Sequence, residues 1–454
     1  MQSTTPPPNA SLRIDTLRLT NYRCFAKLNV PFHPQLTVLV ANNGQGKTAV
    51  LNAVATALGP FVSAFDEGVD HAFAQDDVRK LPTGIGNTME WAKGGVVLTA
   101  NGVVDFQPAT WSRQLAGRKA RTTRKDALAL TAWGKALQDQ VRQEAETQAT
   151  GTCLPLVAYY PTDRLWNLRR LPYKKLPRTS RMVGYTHCLE SGSDFRLMAD
   201  WFRYWSISAL EHQQKVLQGL REALPSSADD AIEAVRKATD CCLKPSGWSH
   251  LDFSLDLQEL VASHPDHGEL PVGMLSDGIR SMLTLVADIA FRMVKLNPNL
   301  GPYATSRTNG IVLIDEVDMH LHPSWQQTVL GSLREAFPCI QFIVTTHSPQ
   351  VATTVPAESL RILTSDGVMA APAGTEGAEA GRLLESVFGV DPRPEHNLAT
   401  KELRRYLKLV DDGQWKTDEA LGLRKRLDQR YQGEEPALLE ADLLIENKEW
   451  EQQA

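Results

Sequence analysis

Leu36-Thr37-Val38-Leu39-Val40-Ala41-Asn42-Asn43-Gly44-Gln45-Gly46-Lys47-Thr48 passes from an apolar run into a polar, glycine-bearing loop that ends on a lysine and a hydroxyl. The opening run reads as a buried strand, because continuous apolar, β-branched residues suit a sheet covered on both faces. Thr48 to Leu58 follows with helix formers at apolar spacing, and Gly59-Pro60 is expected to stop that helix. Strand, loop and helix in this order form a phosphate cradle of the Walker A type. Small residues let backbone N–H groups wrap phosphate oxygens, Lys47 reaches the β- and γ-phosphates, and the Thr48 hydroxyl meets Mg²⁺. Asn42, Asn43, Gly44, Gln45, Gly46, Lys47 and Thr48 are therefore the candidate nucleotide contacts. Ala41 stands where the pattern asks for its first glycine, which is harmless only if Ala41 keeps φ below zero.

Working outward, Ile311-Val312-Leu313-Ile314-Asp315-Glu316 is a second buried strand, ending in two carboxylates in the manner of a Walker B motif. Asp315 joins Thr48 as a candidate Mg²⁺ ligand, and Glu316 is the candidate to polarise the attacking water, since phosphoryl transfer needs positioning and charge neutralisation. Leu275-Ser276-Asp277-Gly278 opens a helix at Arg280 to Val294. Ser276, Asp277 and Gly278 read either as a signature contacting the γ-phosphate or as a plain helix cap. Val344-Thr345-Thr346-His347-Ser348-Pro349 closes the next strand, with His347 placed to sense the γ-phosphate, and Asp318 follows Glu316 closely.

The chain of 454 residues with 42% hydrophobic content exceeds what one core usually fills. A net charge of −5 argues against a histone-like binder, although a local basic patch would not show in the total. Cys24, Cys153, Cys188, Cys241, Cys242 and Cys339 have neither disulfide-framework nor zinc spacing, which suits a reducing, cytoplasmic setting. No apolar run reaches spanning length, so no membrane is expected. Segments are expected at 1–10 (frayed N-terminus), 11–63 (core with the phosphate loop), 64–150 (insertion), 151–165 (core strand), 166–247 (helical lid), 248–390 (core with the remaining motifs) and 391–454 (helical tail, a candidate docking segment). In the lid, Asp200 to Leu224 reads as a helix carrying Trp201, Phe202, Trp205 and Leu210 on its core side. Absent heptads exclude long coiled-coil arms. Arg113 to Lys125 and Arg164 to Arg181 are basic runs; Arg169, Arg170, Lys174, Lys175 and Arg178, interleaved with Trp166 and Tyr173, are candidate nucleic-acid contacts or a solvated loop. His264-Pro265-Asp266-His267 reads as a polar loop rather than a metal cluster.

Taken together, Asn21-Tyr22-Arg23-Cys24-Phe25, the LSDG signature, the DEVDMHLHP stretch from Asp315 and the TTHSP switch resemble the RecF/SMC branch of ABC ATPases. The resemblance implies an α/β, ABC-type ATPase core with a mixed, largely parallel sheet, a compact helical lid and a helical C-terminal tail. It also implies ATP and Mg²⁺, Arg23 near the nucleotide, and a head-to-tail dimer or higher oligomer in which Ser276, Asp277 and Gly278 reach the partner's ATP. Tyr159-Tyr160-Pro161-Thr162-Asp163-Arg164 holds the place of the Q-loop without its glutamine. Within the branch, the compact lid, the stretch from Gln341 to Gln350 and Pro436 to Asp442 are similar to the ATPase subunits of Septu and retron-associated anti-phage systems. That similarity implies an HNH-type nuclease subunit as partner, and DNA or a retron nucleic acid as a further candidate. A RecF-like repair ATPase that binds DNA without a nuclease is the alternative. An OLD-type nuclease would need an acidic centre after His347, where only scattered acids such as Glu376 and Glu379 follow, and the HLHP element points away from transporter subunits.

Overall fold

A computed structural model describes residues 10–83, 88–117, 120–147, 151–162, 180–190, 195–220, 226–364 and 367–453. The chain opens with three strands, β1 (Leu12–Tyr22), β2 (Phe25–Pro31) and β3 (Leu36–Val40), and then helix α1 (Lys47–Val62). Next come β4 (Lys80–Pro82), β5 (Met89–Trp91), β6 (Val96–Val104), β7 (Gln107–Leu115), α2 (Leu128–Thr147) and β8 (Leu156–Tyr160). Helices α3 (Phe195–Leu217) and α4 (Ser227–Leu243) precede a meander of β9 (Ser249–Ser254), β10 (Glu259–His264) and β11 (Gly268–Pro271). The remainder alternates: α5 (Asp277–Leu296), α6 (Ala304–Arg307), β12 (Gly310–Ile314), α7 (Pro323–Gln326), α8 (Val329–Ala336), β13 (Ile340–Thr346), α9 (Pro349–Ala352), β14 (Leu360–Thr364) and β15 (Gly367–Ala370).

The central sheet has the order β15-β14-β3-β13-β12-β8, with β14, β3, β13, β12 and β8 parallel and β15 antiparallel at one edge. Every residue of β3, β8, β12 and β13 is buried, which explains why these strands read as unbroken apolar runs. The order brings the ends of β3, β12 and β13 side by side, so the three motif loops leave one rim of one sheet. A second, antiparallel sheet, β2-β1-β6-β7, packs beside it. Gln341 joins the two: its amide oxygen accepts from the Ile14 N–H at 3.0 Å, and its amide nitrogen donates to the Ile14 carbonyl at 2.7 Å.

Within residues 64–150, β6 pairs with β1 along its length and lies, with β7, in the antiparallel sheet. Some expectations change. Helix α1 does not stop at Gly59-Pro60 but runs through both to Val62. Pro60 has no N–H to offer the Thr56 carbonyl four residues back. Arg113 supplies the missing donor, with Nη1 2.8 Å from that oxygen, and Trp111 donates to the Ala57 carbonyl at 3.0 Å. Gly59 serves this approach, since a Cβ there would lie 2.2 Å from Asp70 Oδ1 and 2.9 Å from Arg113 Nη1. Between β12 and β13 the chain forms two short helices, α7 and α8, separated at Gln327 and Thr328. In α3, Trp201, Phe202 and Trp205 are buried, but Leu210 is 44% exposed.

The chain divides into two compact units, 1–383 and 384–454. The second holds α11 (Leu398–Asp411), α12 (Asp418–Tyr431) and α13 (Pro436–Gln453), after α10 (Ala380–Ser386) at the division. These helices close on their own core of Leu403, Tyr406, Leu409, Leu423, Leu427 and Leu438.

Candidate functional site

The loop between β3 and α1 turns on two glycines, with φ +79° at Gly44 and +89° at Gly46. Ala41 is not among the residues with positive φ, so its Cβ meets no conformational objection. Gly46 has a second reason to be glycine, because a Cβ would lie 2.5 Å from the Phe25 ring. The Asn21-to-Phe25 turn thus packs onto the phosphate loop. Lys47 lies in the loop with its Nζ 2.9 Å from the Ala41 carbonyl. Burial lowers its pKa from the ordinary lysine value, while Asp315, Glu316 and Asp318 pull it back up, so all three carboxylates lie within electrostatic reach of the amine.

Asp315 leaves β12 fully buried with both oxygens engaged. Thr48 Oγ1 donates to Oδ2 at 2.7 Å, and Thr345 Oγ1 donates to Oδ1 at 2.5 Å. Thr345 also accepts from the Glu316 N–H at 2.7 Å, so one hydroxyl fixes both acidic residues. Glu316 stands at φ +46°, a strained setting for a non-glycine residue that the surrounding hydrogen bonds hold in place. Thr48 and Asp315 offer adjacent hard oxygen donors beside the phosphate loop, a donor set that fits Mg²⁺. Asp318 accepts from Thr346 Oγ1 at 2.5 Å, tying it to the end of β13. The next residue, His347, is exposed, and Ser348 beyond it donates to Gln326 Oε1 at 2.7 Å. The imidazole is therefore presented between two anchored neighbours.

Ser276 occupies the N-cap of α5, but its side chain makes no capping bond; both it and Asp277 are exposed. Asp277 pairs with Arg280 at 2.6 Å. A Cβ on Gly278 would lie 2.5 Å from the carbonyl oxygen of His320, which itself has φ +64°. The signature segment and the loop after Asp318 are therefore in close contact within one chain. Together with Ser246, Ile279, His322 and Trp325 they line a cavity of about 290 Å³. Arg23, beside the phosphate loop, is held through Nε to Asp77 at 2.7 Å.

Asn42, Asn43 and Gly44 are exposed in the same loop, with Gln45 donating its N–H to the Asn42 carbonyl at 3.3 Å. Arg169, Arg170, Lys174, Lys175 and Arg178 lie outside the described residues. Of the other basic run, Arg113 is buried against Asp70 at 2.9 Å and is a packing residue rather than a surface contact. Among the described residues no set of three metal-ligating side chains is assembled; His264 and His267 stack on each other, and His267 stacks on Trp248 while His264 meets it at a tilt. Thr345, Asp77 and Gln326 escaped sequence reasoning as anchors of the site. The threonine pair in TTHSP carried the only local signal, and its meaning depends on which strand lies beside β13.

Residues 16–238 match the AAA domain family, and residues 246–353 match a second AAA domain family, described with the AbiEii toxin of a type IV toxin–antitoxin system. The "Retron Ec83 probable ATPase" of Escherichia coli is 27% identical, over 97% of this chain and 88% of its own length. Between them the two family matches make residues 16–353 an AAA-type ATPase region. This ATPase is also 27% identical to the "Retron Vc95 probable ATPase" of Vibrio cholerae, over 89% of this chain and 85% of that one. To the Septu protein PtuA of Bacillus mycoides it is 45% identical, over 16% of this chain and 10% of that one. A solved SMC head domain from Thermotoga maritima aligns with 80% of the ATPase and 100% of its own chain, at 15% identity and a TM-score of 0.41.

Proposed function

We propose that the chain binds and hydrolyses ATP with Mg²⁺ as the ATPase subunit of an anti-phage defence complex, gating a separate HNH-type nuclease. The observation that supports it most is the Asp315 cluster: one buried carboxylate held by Thr48 and Thr345, next to Lys47 and Glu316. In this reading the N–H groups of the loop and of the first turn of α1 bind the phosphates, and Lys47 exchanges the Ala41 carbonyl for phosphate oxygens. Thr48 and Asp315 would hold Mg²⁺, which supplies neutralisation of the charge on the phosphate oxygens. Glu316 polarises the attacking water and accepts its proton, and His347 donates a hydrogen bond to the γ-phosphate. Ser276 and the N-terminus of α5 complete the site of a second copy, which explains an N-cap hydroxyl not used on its own helix. The names of the retron and Septu relatives support the defence role.

The test combines purified protein with phage challenge. Lys47→Ala is expected to lose nucleotide binding, and Glu316→Gln to keep binding while hydrolysis falls by about 10²- to 10⁴-fold. Both should abolish protection against phage when the chain is expressed with its neighbouring genes. Unchanged ATP affinity in Lys47→Ala would overturn the loop assignment, protection that persists in both variants would overturn the need for ATP turnover in defence, and no protection by the unaltered chain with its neighbouring genes would overturn the defence role.

A further inference from the structure

Helix α13 carries two apolar faces. Leu438 and Ala441 are buried in the core of the C-terminal unit, with Ala437, Leu444 and Ile445 packed partly against it. On the other side Leu439 is 55% exposed, Leu443 62% and Trp450 79%. At about 100° per residue these three fall within an arc of roughly 40°, so they share one face of the helix, with Glu446 beside it between Leu443 and Trp450. Core packing needs only the first face, and a stripe of two leucines and a tryptophan left in water marks an interaction surface.

Charge decides what the stripe takes. Glu440, Glu446 and Glu451 are exposed along it or at its border. The acids toward the core face are already used at home: Asp442 pairs with Arg424, and Glu449 with Lys416 at 2.8 Å. The single cation of the helix, Lys448, is turned inward, with Nζ 2.9 Å from the Val410 carbonyl. A second copy of α13 would bring Glu440, Glu446 and Glu451 against their own equivalents, which like-charge repulsion opposes. We propose that this stripe docks a different protein, one that presents an apolar helical face or groove bordered by lysine or arginine. From Leu439 to Trp450 the stripe offers such a partner a ridge about 17 Å long. This inference rests on the reading above that the ATPase works through a separate protein subunit, and it locates that contact on the C-terminal unit.

The full-length chain, co-expressed with the protein encoded beside it, is compared with Leu443→Asp/Trp450→Asp and with Glu440→Lys/Glu446→Lys. The substituted side chains are exposed, so helix content, thermal stability and ATP binding should be unchanged. Both variants should bind the partner roughly tenfold or more weakly, and the charge variant should recover with acidic substitutions on the partner's basic rim. A partner that stays bound to both variants overturns this inference and leaves the gating reading intact. Loss of self-association in Leu443→Asp/Trp450→Asp, with the partner retained, also overturns it by making the occupant a second copy. Failure of the unaltered chain to form any complex removes the gating reading and this inference together.

Discussion

Thr345 shows how little of a site need be visible in the residue that organises it. Its hydroxyl gives its proton to Asp315 and accepts the Glu316 N–H, so Thr345→Val, nearly isosteric, would free both acidic residues from their common anchor. Supporting hydrogen bonds of this kind typically contribute about 10- to 100-fold to metal affinity or activity. We expect kcat to fall by that order and more Mg²⁺ to be needed for half-maximal rate, with ATP binding measured without metal unchanged. A steady-state titration of Mg²⁺ on the two proteins checks it, and equal Mg²⁺ dependence would refute it. Sequence reading found Lys47, Thr48, Asp315 and Glu316 because the chemistry constrains residue type and spacing. It missed Thr345 because its hydroxyl acquires a role only when β13 pairs with β12, a contact between residues 30 positions apart.

Elements were legible to different degrees. The parallel strands announced themselves through burial on both faces, whereas the antiparallel sheet, with alternating burial in β6, depended on pairing between β1 and a strand some 80 residues later. Helix α1 went furthest astray, since proline and glycine are the usual stop signals. The stop is overridden by Arg113, which is fully buried and bridges Thr56, His71 and Asp70. Replacing it with methionine would strand the Asp70 carboxylate beside an exposed Arg124 alone and leave the Thr56 carbonyl without its donor. Breaking a buried pair on one side costs about 3–5 kcal/mol. Arg113→Met should therefore lower the melting temperature markedly, and Arg113→Met/Asp70→Leu should recover part of the loss. An undiminished melting temperature for the single variant would show that the guanidinium does not hold the end of α1.

At the scale of the whole chain, two separate cores predict two unfolding events. The C-terminal unit has its own buried cluster, and every residue of the phosphate loop and of the Asp315 cluster lies in the unit before it. Ligand that binds only one unit stabilises only that unit, by about 2.7 kcal/mol at a hundredfold excess over its dissociation constant. Calorimetry of the full chain should resolve two transitions, and ATP with Mg²⁺ should move the one assigned to residues 1–383 while leaving the other in place. A single transition that shifts as a whole would mean that the units unfold cooperatively.

The Gly278–His320 contact carries a consequence for variation. Segments more than forty residues apart in sequence share one van der Waals boundary, with a backbone oxygen occupying the space where any side chain on Gly278 would begin. Neither the LSDG stretch nor the MHLHP stretch can drift alone: enlarging one forces the other to move, and moving the second disturbs the turn that carries Asp318. The two stretches form a single heritable part, open to change only through paired substitutions.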